Sequence, residues 1–290
     1  MAITRYHIGC PVWKHKAWVG EFFSDDAKPS EFLKQYASVF NAVEGNNTFY
    51  GMPADSTIQK WVDEVNDGFK FCFKMPRVIT HDHRLRGSEH ELERFFELME
   101  PASDHLGPFM IQLAQSFGPD DMPYLERFLD QLPARYSYAL EVRHPDFFDK
   151  GRHERRLNRL LQSYHADRVI FDTRKLHAIN TDDPDLIKVQ RRKPQLPVRF
   201  ETTSSRPVVR FVGNNNVADN LPYLKEWAII TAEWIREGLH PYIFIHAPNE
   251  FYAPANARRF HRLLADMVDL DPMPQWPADR QDREGQMRLF

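Results

Sequence analysis

The run 137-SYALEVR-143 decides the fold class. Read as a strand, it sends Leu140 and Val142 to one face and Ala139, Glu141 and Arg143 to the other, because side chains two apart share a face. An apolar face backed by one that ends in charge suits a (β/α) barrel. There the outer face of each strand meets helices, and the last inward residue borders the mouth where barrel sites lie.

The same pattern recurs along the chain. The other β-rich runs are 5-RYHIGC-10, 40-FNAVEGN-46, 69-FKFCFK-74, 109-FMIQLA-114, 168-RVIFDT-173, 208-VVRFVG-213 and 242-YIFIHA-247. Between them lie helical stripes: Ile58, Trp61, Val62 and Val65; Leu92, Phe95, Phe96 and Met99; Leu157, Leu160, Leu161 and Tyr164; Leu224, Trp227, Ala228 and Thr231; and Phe260, Leu263, Leu264 and Met267. These stripes read as core packing. Asp55 and Ser88 stand where N-caps belong, Ser88 with Glu91 as a capping box. Short β runs alternating with helices indicate parallel βα units. No G-x-G-x-x-G or G-x-x-x-x-G-K-[ST] string marks the phosphate turn of an open nucleotide-binding sheet. The expected fold is therefore α/β, a (β/α)8 barrel over residues 1–271, followed by a flexible polar tail over 272–290.

Composition agrees. The 290 residues are 42% hydrophobic with 22 Phe, enough for one large core. The net charge of −3 gives no global attraction to nucleic acid or anionic membrane. The opening MAITRYHIGCPVW has no apolar run of the signal-peptide kind, and no stretch is long and apolar enough to span a bilayer. Cys10 and Cys72 read as reduced, buried thiols. A soluble cytoplasmic protein is the expectation.

The inward register of the runs carries an unusual number of polar groups. Strand two contributes Glu44, Asn46 and Thr48, strand three Cys72 and Lys74, strand four Gln112, and strand five Glu141 and Arg143. Strand six contributes Asp172 and Arg174 on the register of Ile170, strand seven Arg210, and strand eight Tyr242, Phe244 and His246. A buried charge costs several kcal/mol unless it is paired, so each could be an internal salt bridge; the ring as a whole reads as a functional site. Glu44, Glu141, Asp172 and His246 are the expected catalytic groups, as general acid and base or as ligands of a divalent metal. Lys74, Arg143 and Arg210 suit a phosphate or carboxylate, Arg through a bidentate fork. Interior cations compete with a metal, and no H-E-x-x-H string is present. His81 and His144 follow strand ends, within reach of the mouth.

At these residues the sequence resembles a known family. The strings 43-VEGNNTFYGMP-53, 71-FCFKMPRVITH-81, 111-IQLAQSFGP-119 and 140-LEVRHPDFF-148 are similar to hallmark strings of the YecE-like family, a domain of unknown function (DUF72). The resemblance runs over essentially the whole chain, in order, and implies a TIM-like barrel. It also implies that Glu44, Asn46, Thr48, Tyr50, Lys74, His81, Gln112, Glu141, Arg143 and Asp172 stand at the family's polar strand-end positions. The string 242-YIFIHAPNE-250 departs from the asparagine-rich one of many members. The family brings no established reaction.

Two features lie outside the ring. The stretch 188-KVQRRKPQLPVR-199 is the one strong local positive patch, in a long connection; Lys188, Arg191, Arg192 and Lys193 could meet nucleic-acid phosphates. The terminal 286-QMRLF-290 resembles the pentapeptide that binds the bacterial DNA polymerase sliding clamp, with Gln286, Leu289 and Phe290 as its anchors, although Leu289 and Phe290 could equally fold back on the barrel. Together these point to an enzyme acting on a phosphorylated or nucleic-acid substrate, a phosphodiesterase-like hydrolase working near DNA repair. The alternatives are a non-catalytic ligand- or DNA-binding module, or a small-metabolite lyase or isomerase.

Overall fold

The computed structural model describes residues 6–280, so the terminal string at 286–290 lies outside the described residues. In chain order the elements are β1 (His7–Gly9), α1 (Phe32–Ala37), β2 (Ala42–Gly45), α2 (Asn47–Tyr50), α3 (Asp55–Asp63), β3 (Lys70–Phe73), a π-helical turn (Val78–Asp82), α4 (Glu89–Met99), β4 (Phe109–Gln112), α5 (Met122–Asp130), β5 (Tyr138–Glu141), α6 (Arg152–Ser163), β6 (Asp167–Arg168), β7 (Ile170–Asp172), α7 (Arg174–His177), α8 (Pro184–Arg192), β8 (Val208–Val212), α9 (Leu221–Arg236), β9 (Tyr242–His246) and α10 (Ala253–Ala265). The fold is mixed α/β, and every strand pairing described is parallel. The strands lie in three sheets, ordered β1-β9-β8-β7, β2-β3 and β4-β5-β6. Backbone bonds reach between sheet edges: Glu44 N–H donates to the Cys10 carbonyl at 3.1 Å and Met75 N–H to that of Met110 at 2.9 Å.

The two-residue alternation read from the sequence is borne out on most strands. Val43, Phe71, Phe73, Leu140, Val209 and Phe211 pack with the helix stripes, such as Ile58 and Trp61 on α3, in one large apolar cluster. On the opposite face Ala42, Cys72, Met110, Ala139, Val208 and Phe244 form a second cluster. Each fully buried Phe contributes roughly 1.5–3 kcal/mol relative to exposure, so this layering is the main source of stability. Ser88 does precede α4, but its hydroxyl meets His83 and the Arg86 carbonyl instead of capping the helix.

Three expectations need correction. The sixth run is broken: β6 pairs with β5, whereas β7 pairs with β8. Its register is also one residue off, because Phe171 stands opposite Arg210 and shares its face while Asp172 stands opposite the helix-facing Phe211. A one-residue slip sends every side chain to the other face. Second, the basic connection is not simply a loop: Asp183 accepts from Asp185 N–H and starts α8, which carries Lys188, Arg191 and Arg192. Third, the packed body continues past 271. Trp276 is buried, edge-on to Phe22 and under the Arg258 guanidinium at 3.5 Å. Among the described residues no helix is long and apolar enough to cross a membrane.

Candidate functional site

At the C-terminal ends of the strands, Arg210 from β8 joins two carboxylates that come from far apart in the chain. Its Nε and Nη2 donate to Glu44 of β2 at 2.8 and 2.7 Å, a bidentate fork. Its Nη1 donates to Glu141 of β5. Arg143, just past β5, donates from Nε to the other oxygen of Glu141 at 2.7 Å, with its Nη2 in ion-pair contact with that oxygen at 2.6 Å. His246 Nε2 donates to Glu44 at 2.9 Å, and its Nδ1 lies 3.7 Å from Glu250. Lys74, just past β3, places Nζ 3.6 Å from Glu44. Phe171 lies beneath the cations, 4.6 Å from the Arg210 guanidinium, 5.7 Å from that of Arg143 and 5.8 Å from Lys193 Nζ.

The electrostatics follow from this geometry. Burial alone would raise both carboxyl pKa values. For Glu44, Arg210, His246 and Lys74 outweigh burial and hold it well below the usual carboxylate range. For Glu141, Arg210, Arg143 and Lys74 do the same and hold it down to about 2. Both are ionised at neutral pH and poorly suited to donating a proton. Lys74 moves the other way: burial, then the Arg210 charge, lower its pKa to about 7 in spite of Glu44 and Glu141. Burial and the charges of Arg143 and Arg77 lower His81, leaving a neutral imidazole. Burial also lowers Lys193.

Of the groups expected to form the site, Glu44, Lys74, Glu141, Arg143, Arg210 and His246 come together. Gln112 is buried opposite Glu141 in the β4–β5 register. Three others serve the backbone or the rim. Asn46 donates to the Pro11 carbonyl at 2.9 Å, and Thr48 donates to that of Lys74 at 2.6 Å. Tyr50 is 84% exposed. His81 lies on the π-helical turn, bonded to Thr80 and edge-on to Phe49 at 5.2 Å; Lys74 Nζ sits 5.9 Å above that same ring. Asp172 is elsewhere. It accepts from Arg174 and from the Trp227 indole N–H at 2.8 Å, in the layer beneath α9. Asp172 is thus a structural anion, because the register of β7 points it at the helices. Of the basic stretch, Lys188, Arg191 and Arg192 are exposed, whereas Lys193 is half-buried over Phe171. Among the described residues no three His, Cys, Asp or Glu side chains gather in a way that could hold a metal ion. The arginine and histidine partners already occupy the carboxylate oxygens a divalent cation would need.

Sequence reading missed Phe171, Glu250 and the inward placement of Lys193. Glu250 was findable, since it follows His246 by four residues across a short turn. Phe171 was not, because alternation in 168-RVIFDT-173 sets Val169, Phe171 and Thr173 on an uncharged register and Arg168, Ile170 and Asp172 on the charged one, which points Phe171 toward the helices.

Comparison with known proteins agrees with this architecture. The family model described as protein of unknown function DUF72 matches residues 7–280. UPF0759 protein YecE of Escherichia coli (strain K12) is 37% identical over 248 residues, 86% of this chain and 88% of that one. The same-named protein of Escherichia coli O157:H7 is 36% identical over the same share. Among solved structures, a DUF72 family protein from Thermotoga maritima MSB8 superposes with a TM-score of 0.70 at 24% identity, covering 89% of this chain and 98% of that one. Another from Enterococcus faecalis V583 gives a TM-score of 0.70 at 16% identity, covering 93% and 98%.

Proposed function

We propose that this chain, which belongs to the DUF72 family, is an enzyme whose strand-end cluster binds a phosphorylated or otherwise anionic substrate. The three parallel sheets read as arcs of one (β/α)8 TIM-like barrel, with β6 and β7 as halves of a single interrupted strand. The backbone bonds between sheet edges support that reading, and it places the cluster at the end where barrel sites lie.

One observation carries the anion assignment. Lys74, Arg143, Arg210 and Lys193 face Glu44, Glu141 and Glu250, and among the described residues Lys193 has no ion pair. Lys193 is a half-buried cation that feels the Glu250 charge but has no carboxylate in ion-pair contact; beside a cluster already rich in cations, it favours an anionic ligand. Binding can be read by calorimetry with inorganic phosphate and a simple organic phosphate. Removing one charged donor, in Arg143→Gln or Lys193→Ala, should weaken binding about tenfold or more. Undiminished binding in the double variant would overturn the assignment.

Phosphodiester hydrolysis linked to DNA repair is a finer form of this proposal. With Glu44 and Glu141 held ionised by arginine, its proton transfers fall to Lys74 and His81. The locked carboxylates equally favour a ligand-binding module, for which saturable phosphate binding without turnover is the signature. The string 286-QMRLF-290 supports a partner proposal on its sequence alone: deleting Gln286 to Phe290 should abolish capture by purified sliding clamp, and unchanged capture would sink it.

A further inference from the structure

We propose that Lys74 is a nucleophile that forms an imine with a carbonyl group of the substrate; the site's ligand class is then an aldehyde or ketone that also carries an anionic group. This deepens the anion reading above and rests on it for the second half of that ligand class.

The geometry carries the assignment in three steps. Lys74 is fixed at its backbone: its carbonyl accepts the Thr48 hydroxyl at 2.6 Å, its N–H donates to the Gly45 carbonyl at 3.0 Å, and it forms a parallel bridge with Met110. The side chain therefore starts from a rigid strand end, as a reacting group should. Lys74 is 8% exposed, and its amine lies over the Phe49 face. Among the described residues its ion pair is the 3.6 Å contact with Glu44, longer than a hydrogen bond. Glu44 is meanwhile claimed by two short bonds from Arg210 and one from His246. Lys74 is thus a weakly held amine crowded by the Arg210 and Arg143 charges. Desolvation beside other cations is how a lysine becomes nucleophilic near neutral pH. An arginine here would supply the charge but not this chemistry.

The step balances without an oxidant. The unprotonated Nζ forms a C–N bond to the carbonyl carbon as the C=O π bond breaks, and the oxygen takes up a proton. The resulting carbinolamine loses that hydroxyl with one further proton as water, the nitrogen gives up both of its protons over the two steps, and a C=N bond remains. His81, neutral and in contact with Phe49, is the nearby group able to carry these protons.

The test uses the full chain with pyridoxal 5′-phosphate as an aldehyde that carries a phosphate, followed by borohydride reduction and peptide mass mapping. At pH 7 we expect one dominant adduct, on Lys74, absent in Lys74→Met and in Lys74→Arg. The second variant keeps the charge and guards against a folding artefact. The labelling rate should be half-maximal near pH 7, where an ordinary lysine is unprotonated in only roughly one molecule in 2,000–3,000. Adducts spread over surface lysines with Lys74 unmodified, in protein that still binds inorganic phosphate, would overturn this proposal and leave the anion site standing. Phosphate-free pyridoxal labelling Lys74 as fast as its phosphate would uphold the nucleophile and overturn the anion reading.

Discussion

Arg210 is the residue on which the cluster depends. It is almost fully buried and charge-paired on both sides, and the Glu141 and Glu44 charges raise its pKa despite burial. Such a group adds little net stability over a well-packed apolar one, but removing it strands its partners. Arg210→Met should therefore cost about 3–5 kcal/mol in urea unfolding at pH 7, with much of that recovered when Glu44→Gln and Glu141→Gln are added. The pH profile should report the same coupling. A carboxylate whose folded pKa is depressed stabilises the fold above its unfolded value of about 4.3, and that stability is lost as pH falls toward about 2 for Glu141. The parent should lose stability through this acid window, and the triple variant should lose less. A single variant as stable as the parent would show that the ion pairs contribute nothing.

At the scale of the element, β7 shows where the sequence was legible and where it was not. Strands such as β3 are unambiguous: Phe69, Phe71 and Phe73 can only face helices, which leaves Cys72 and Lys74 on the other side. For β7 alternation points the wrong way, with Asp172 inward and Phe171 outward, and the reverse choice is made by pairing Phe171 with Arg210 on β8, which local sequence does not encode. Asp172 consequently serves Trp227 and Arg174. Asp172→Ala should cost about 1–3 kcal/mol, because it leaves the Trp227 N–H without its acceptor, while phosphate affinity stays within about twofold. An affinity loss above tenfold with unchanged stability would return Asp172 to the site. The helices divide similarly. Apolar stripes made the long ones readable, whereas the single turn Asn47–Tyr50 and the π-helical turn Val78–Asp82 have no periodicity long enough to be seen, and they hold Thr48 and His81 in place.

At the scale of the molecule, the layering and most of the cluster could be read from alternation alone. Six of the groups named from sequence do meet at the strand ends. What alternation could not supply is which charges pair, since that depends on contacts between strands distant in the chain. The expected acid–base carboxylates Glu44 and Glu141 turned out to be the fixed charges, and a lysine counted only as a cation has its pKa lowered by burial to about 7.

The Arg210 fork has one more consequence, for how the protein comes into being. Glu44 is 166 residues from Arg210 in the chain, Glu141 is 69 residues away, and His246 is 202 residues beyond Glu44. During synthesis β2 and β5, which carry these carboxylates, emerge well before Arg210 on β8. Until β8 arrives, Glu44 has only Lys74 at 3.6 Å and Glu141 only Arg143, and both resist being buried. Such contacts across long stretches of chain close late and slowly. A chain lacking β8 is therefore held open at the strand-end cluster, and completing the fold and assembling the cluster become a single event.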